Sequence, residues 1–320
     1  MTPARDVIAL GETMLSLVAV GVPLAEANEL HVTHGGAESN TCVALVRLGL
    51  TAALVSRLGT DPAGDRIARD LASAGVDTRW VRRVPARPTG LMLRETSGGP
   101  AWYRRADSAA STLSPGDLED VPVEEARAVV VSGITAMLGV GPQRTAIALL
   151  DRATGLRVVD PNLRLGLWGS DRADELVRPL LERADLLLGG EAELTRLVGG
   201  DGHDLGEEGR ELAERCHALG PTEVVLKRGA RGAAASDNAG GWYEVHPPAE
   251  DDVDPVGAGD AFNAGYLAAR LFGRSVAQAL EQGARCGAAV AAVVGDHAGF
   301  PAFEQIGGSR WPETRDSPRV

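Results

Sequence analysis

AVVVSG at Ala128–Gly133 opens the stretch whose reading decides the fold. A helical run to Leu150 follows, then LRVVD (Leu156–Asp160), a helical run to Glu182, ADLLLG (Ala184–Gly189), another helix and EVVLKRG (Glu223–Gly229). Val- and Leu-rich strands without apolar–polar alternation are buried on both faces, and their alternation with helices predicts a mostly parallel sheet covered on both sides. The same rhythm extends toward the N-terminus, with strands at Val7–Leu10, Met14–Ala19 and Ala52–Ser56 and helices over about 38–48 and 61–74. Between Val81 and Arg105 it breaks: GLMLRE and AWYRR are short extended runs between turns and read as strands of a small second sheet. Two short strands near Ala233 and Trp242 then precede two Ala-rich helices, Ala258–Phe272 and Ser275–Val294. The expectation is a three-layer α/β/α sandwich forming one domain over 1–306, with a small β lid from insertions at about 12–35 and 80–110 and a polar tail at 307–320.

Composition narrows the function. The formal charge is −12, with 44 acidic against 32 basic side chains, whereas nucleic acid and anionic membrane both require a basic field. No apolar run approaches the roughly 20 residues of a membrane span, and MTPARDVIALGE enters a strand without a signal-like apolar core, so the expected location is cytoplasmic. Cys42, Cys216 and Cys286 are far apart and form no metal-ligand spacing, and they read as buried reduced thiols. Lys227 is the only lysine.

Two glycine-rich motifs carry chemistry. In DPVGAGDAFNAG (Asp254–Gly265), Phe262, Tyr266, Leu267 and Leu271 have helical spacing, which sets Gly257, Ala258 and Gly259 at a helix N-terminus. Free N–H groups and the positive dipole end favour an anion there. Asp260 in the first turn repels that anion, yet it is well placed to take a proton from an attacking hydroxyl. The second motif, HGGAESNTCVALVRLG (His34–Gly49), uses paired glycines before a helix, which let backbone approach a ligand closely. There is no Walker A loop, and Phe262 stands where a dinucleotide fingerprint needs its third glycine. In open α/β sheets ligands bind beyond the carboxyl ends of the strands, which puts Ser132-Gly133, Asp160-Pro161-Asn162 and Lys227-Arg228-Gly229 on one rim.

With Gly35-Gly36, Asn40 and Gly49 in the first motif and Asp254-Pro255-x-Gly257-Ala258-Gly259-Asp260 with Ala264-Gly265 in the second, the chain resembles the PfkB, or ribokinase-like, carbohydrate kinases from about residue 6 to 302. The resemblance implies ATP-dependent phosphorylation of a sugar hydroxyl with Mg²⁺, room for a monovalent cation, Asp260 as base, and Gly257, Ala258 and Gly259 as the anion hole. It also implies a sugar site with Gly35, Gly36, Asn40 and Asp254, a nucleotide site with Asn162, Arg164, Lys227, Gly229, Gly232, Gly257 and Gly259, and a homo-oligomer joined through the lid. Within the family, WYRRADSAASTLSPGDL from Trp102 and GDHAGFP (Gly295–Pro301) are similar to the subgroup acting on 2-keto-3-deoxygluconate. Tyr103 and Arg105 lie two apart and face one side of an extended segment, where a phenol and a guanidinium suit a hydroxylated acid. Arg164 of DPNLR is a second candidate for the substrate carboxylate or the nucleotide phosphates.

The family's Asn-x-x-Glu element, linked to magnesium, has Gly190 at the Asn position and Glu193 at the Glu position, so Glu193 is expected to act on the metal through water. Alternatives remain a kinase for a neutral sugar or nucleoside (fructose, ribose or adenosine-like) and a catalytically silent sugar sensor, with a dehydrogenase more remote.

Overall fold

The computed structural model describes residues 5–96, 101–163, 170–198, 209–246, 253–295, 297 and 299–302. In chain order the strands are β1 (Val7–Leu10), β2 (Met14–Ala19), β3 (His31–Gly35), β4 (Ala52–Gly59), β5 (Val81–Val84), β6 (Leu91–Glu95), β7 (Trp102–Arg104), β8 (Ala128–Ser132), β9 (Leu156–Asp160), β10 (Leu186–Gly190), β11 (Glu223–Lys227), β12 (Ala233–Asp237) and β13 (Trp242–Val245). The helices are α1 (Ala37–Arg47), α2 (Pro62–Ser73), α3 (Gly133–Ala136), α4 (Val140–Arg152), α5 (Ser170–Leu181), α6 (Glu191–Val198), α7 (Arg210–His217), α8 (Ala258–Leu271) and α9 (Val276–Ala291).

Nine strands form one sheet in the order β13-β12-β11-β10-β9-β8-β1-β4-β5. From β11 to β5 all neighbours are parallel, and β12 and β13 close one edge antiparallel. Period-two alternation divides the interior. Val7 and Ala9 of β1 join the core beneath α1, α2, α8 and α9, while Ile8 and Leu10 join the core beneath α4, α5, α6 and α7. Three layers follow from that alternation.

A four-stranded sheet, β3-β2-β6-β7, stands over the carboxyl ends of the parallel strands. Met92 and Tyr103 face the body, and the opposite face carries an in-register apolar row, Val32, Leu17, Leu93 and Trp102. One expected lid segment belongs elsewhere: Val81–Val84 pairs parallel with β4 and forms the edge of the large sheet. Its sequence, VRRV, is charged as an exposed edge strand is, and so reads like a solvated lid strand.

Candidate active site

The anion turn forms where α8 begins. Gly257 caps the helix at φ 89°, a left-handed conformation that favours glycine, and Asp260 sits in the first turn, 8% exposed. Gly257, Gly259 and Asp260 all line a cavity of about 600 Å³ between the sheet and the lid. The Ala258 N–H turns back onto the Pro255 carbonyl at 3.2 Å, which removes it from the amides expected to hold an anion.

Opposite, α1 brings in the first motif. A Cβ on Gly36 would lie 2.1 Å from the Glu12 carbonyl oxygen, so only glycine allows that approach. Asn40 Oδ1 accepts from Gly36 N (3.4 Å), and Asn40 Nδ2 donates to Asp260 Oδ2 (2.8 Å). The two motifs thus meet through one hydrogen bond, and Asn40 orients the carboxylate while leaving one N–H for a ligand. Glu38 fixes the helix start: its Oε1 accepts from Ser132 N (2.8 Å), Ser132 Oγ (2.6 Å) and Thr135 Oγ1 (2.8 Å). Burial pushes the Glu38 carboxyl above its ordinary range, and these bonds oppose that rise. His34, beside Gly35, packs against His297 with centroids 4.2 Å apart, and burial lowers the two rings to about 4 and about 3.

The ends of β9, β10 and β11 supply the next wall. Lys227 Nζ donates to Asp160 Oδ2 (2.8 Å) and Asn263 Oδ1 (3.1 Å). Asn162, at a left-handed φ of 41°, donates its backbone N–H to Asp160 Oδ1 (2.8 Å), and its Oδ1 is buried without a partner among the described residues. Glu193 Oε2 accepts from Gly190 N at 3.0 Å, and a Cβ on Gly190 would meet that oxygen at 3.0 Å. The Glu193 carboxylate therefore packs directly against the bare backbone of Gly190. Magnesium keeps several waters and takes few protein ligands, so an orphaned amide oxygen and a carboxylate lining the same cavity fit a water-bridged ion.

The lid and its hinge close the cavity. Tyr103 and Arg105 both line it, with the guanidinium 6.0 Å from the phenol ring centroid, while Arg104 points to solvent. Arg105 Nη2 pairs with Glu12 Oε2 at 2.7 Å, and Glu12 Oε1 accepts from Ser108 Oγ at 2.5 Å. Nε and Nη1 of Arg105 are buried without a partner among the described residues. On β6, Arg94 Nη1 reaches Asp254 Oδ2 (2.9 Å) and Oδ1 (3.1 Å), with both side chains 2% exposed.

The expected residues divide accordingly. Gly35, Gly36, Asn40, Tyr103, Arg105, Asn162, Glu193, Lys227, Gly257, Gly259 and Asp260 are brought together around the cavity. Asp254, expected to bind substrate, is instead buried away from it, held by Arg94, Val256 N (3.3 Å) and Gly295 N (3.1 Å). Its carboxylate is saturated by internal partners. Gly229 and Gly232 shape the turn from β11 to β12 beside the rim, where Gly232 N donates to Gly229 O (2.9 Å), and do not line the cavity. Arg164 lies outside the described residues. Sequence reasoning missed Glu12 and Arg94, though each left a signal: Glu12 stands two residues past the end of a central strand, and Arg94 shares the Met92 face of a strand that begins Leu-Met-Leu.

A glycine-capped anion turn with a carboxylate in its first turn, set at the carboxyl ends of a parallel sheet under a β lid, defines a small-molecule kinase. The chain belongs to the pfkB family of carbohydrate kinases, whose model matches residues 4–302. It is 34% identical over 299 residues to a 2-dehydro-3-deoxygalactonokinase of Haloferax volcanii, covering 91% of this chain and 92% of that one. It is 30% identical over 311 residues to a 2-dehydro-3-deoxygluconokinase of Bacillus subtilis, covering 94% of each. The crystal structure of a 2-dehydro-3-deoxygluconokinase from Thermotoga maritima superposes with a TM-score of 0.82 at 26% identity, over 94% of this chain and 98% of that one. The protein is an ATP-dependent sugar kinase.

Proposed function

We propose that the protein transfers the γ-phosphoryl group of ATP to the terminal hydroxyl of a sugar acid, 2-keto-3-deoxygluconate. The observation that carries this reading is Arg105, a 6% exposed guanidinium lining the cavity beside Tyr103 with two nitrogens unpartnered among the described residues. Glu12 already supplies one counter-charge, but buried donors without acceptors remain costly, and a substrate carboxylate can complete them. The named activities of the Haloferax and Bacillus relatives support the same class.

Asp260, oriented by Asn40, accepts the hydroxyl proton as that oxygen attacks, and the Gly257 and Gly259 amides hold the phosphoryl oxygens. Mg²⁺, when bound, neutralises nucleotide phosphates. The lid excludes water, the competing acceptor.

A charge-assisted contact between Arg105 and the substrate carboxylate is worth about 2 kcal/mol. Arg105→Ala is expected to raise KM for 2-keto-3-deoxygluconate by about 30-fold, at ~1.4 kcal/mol per tenfold. Slow turnover of fructose, which has no carboxylate, is expected to change little. The Glu12–Arg105 pair favours a second reading, since Arg105 already has one counter-charge and a neutral sugar could hydrogen-bond to Glu12. Equal weakening of acid and neutral sugar in steady-state kinetics decides for that second reading.

Two coarser features complete the proposal. The outward lid row is apolar and ends in Trp102, 61% exposed, which suits a two-fold contact with a second copy. Trp102→Glu is expected to convert a dimer to a monomer in light scattering, and an unchanged mass would exclude the lid as the seam. No described helix is long and apolar enough to cross a membrane. Three buried free thiols support a reducing, cytoplasmic setting.

A further inference from the structure

Lys227 is the only lysine in the 320-residue chain, and it ends β11 directly under the anion turn. Its ammonium has three N–H donors. Asp160 Oδ2 takes one at 2.8 Å and Asn263 Oδ1 another at 3.1 Å, and the third has no partner among the described residues. The side chain lines the cavity and is 17% exposed. A Cβ built on Gly259 would lie 3.7 Å from Nζ, so the charge sits against the backbone of the turn itself.

The mounting is rigid. Asn263 Nδ2 also donates to Asp160 Oδ2 at 2.6 Å, which closes a triangle among the end of β9, the end of β11 and α8. Asn263 stands three residues after Asp260, so the helix that carries the base also aims the ammonium. Two of the three ammonium donors are thereby held on fixed acceptors, which sets the direction of the third.

We propose that Lys227 is a catalytic residue that donates its third N–H to the phosphoryl group in flight and stabilises the charge on its oxygens. In that step the bond from the γ-phosphorus to the β–γ bridging oxygen breaks and its electron pair leaves with ADP. A new bond forms to the sugar oxygen, whose proton goes to Asp260, while Lys227 keeps its own protons. The inference rests on the phosphoryl-transfer site described above and does not depend on which sugar is bound. The competing explanation is that Lys227 only neutralises Asp160.

A double-mutant cycle separates the two. Lys227→Met is expected to lower kcat by about 30-fold, with the ADP dissociation constant changed less than about threefold, as for loss of one donor to a developing charge. The same loss is expected when Lys227→Met is placed on Asp160→Asn, where no carboxylate needs neutralising. If Lys227→Met costs nothing in the Asp160→Asn background, the lysine is a counter-ion and the proposal fails. Acetylation of the folded wild-type enzyme with an amine-selective reagent repeats the test without a substitution. Lys227 supplies the only ε-amine, and mass spectrometry counts it apart from the α-amine. Activity is expected to fall in step with Lys227 acetylation, and bound Mg²⁺ with a non-hydrolysable ATP analogue is expected to protect both. Full acetylation with more than about a third of the activity remaining would overturn the assignment. A wild-type enzyme that phosphorylates fructose but no sugar acid would sink the substrate reading while leaving this test intact.

Discussion

Asp260→Asn is expected to lower kcat by about two orders of magnitude or more while the protein stays folded and still binds an ATP analogue. The carboxylate stands in the first turn of α8, where a helix N-terminus and two cavity-lining glycines favour the negative charge of a phosphate. For affinity alone it is the wrong residue, because it repels what the turn attracts. Removing its charge should therefore leave nucleotide affinity equal or tighter, in contrast to the loss in turnover. The substituted amide can still accept from Asn40 Nδ2, so orientation survives and proton acceptance alone is removed. Calorimetric binding and steady-state kinetics on one preparation check both halves. Turnover within a few-fold of wild type would eliminate Asp260 as the base.

Arg94→Met is expected to destabilise the protein by about 3–5 kcal/mol in urea unfolding, because it strands the Asp254 carboxylate without its cation. Both partners are 2% exposed, so water cannot take over. A surface pair such as Arg215 with Glu211, where the side chains are 32% and 52% exposed, should matter by less than about 1 kcal/mol. The double change Arg94→Met with Asp254→Asn is expected to recover most of the loss, since it removes both charges together. Equal instability of single and double variants would show that guanidinium packing, and not charge pairing, holds the lid strand to the turn.

What was legible in the sequence was local. The buried parallel strands, the two glycine turns and the helices behind them each declare themselves within a dozen residues, and the structure places them as read. Pairings across the chain left no such pattern. Arg94 and Asp254 are 160 residues apart, and neither VRRV nor LMLRE says which sheet its strand will join. Asp254 looked like a ligand because it opens the motif, yet its position before the turn makes it the natural anchor for backbone amides and a buried arginine. Gly190 was legible as a departure, but not the contact it permits, in which the Glu193 carboxylate lies against its backbone N–H.

The hydrogen bond between Asn40 and Asp260 spans 220 residues. On the ribosome the first half of this site is therefore made long before the second. At roughly 5–20 residues per second, α1 waits roughly ten to forty seconds for α8. During that interval the emerging chain has glycine-rich backbone and an amide but neither the helix N-terminus that attracts phosphate nor the acid that activates a hydroxyl. A nascent or truncated chain lacking α8 should accordingly be silent toward ATP, so interrupted synthesis yields an inert fragment and no leak of nucleotide to water.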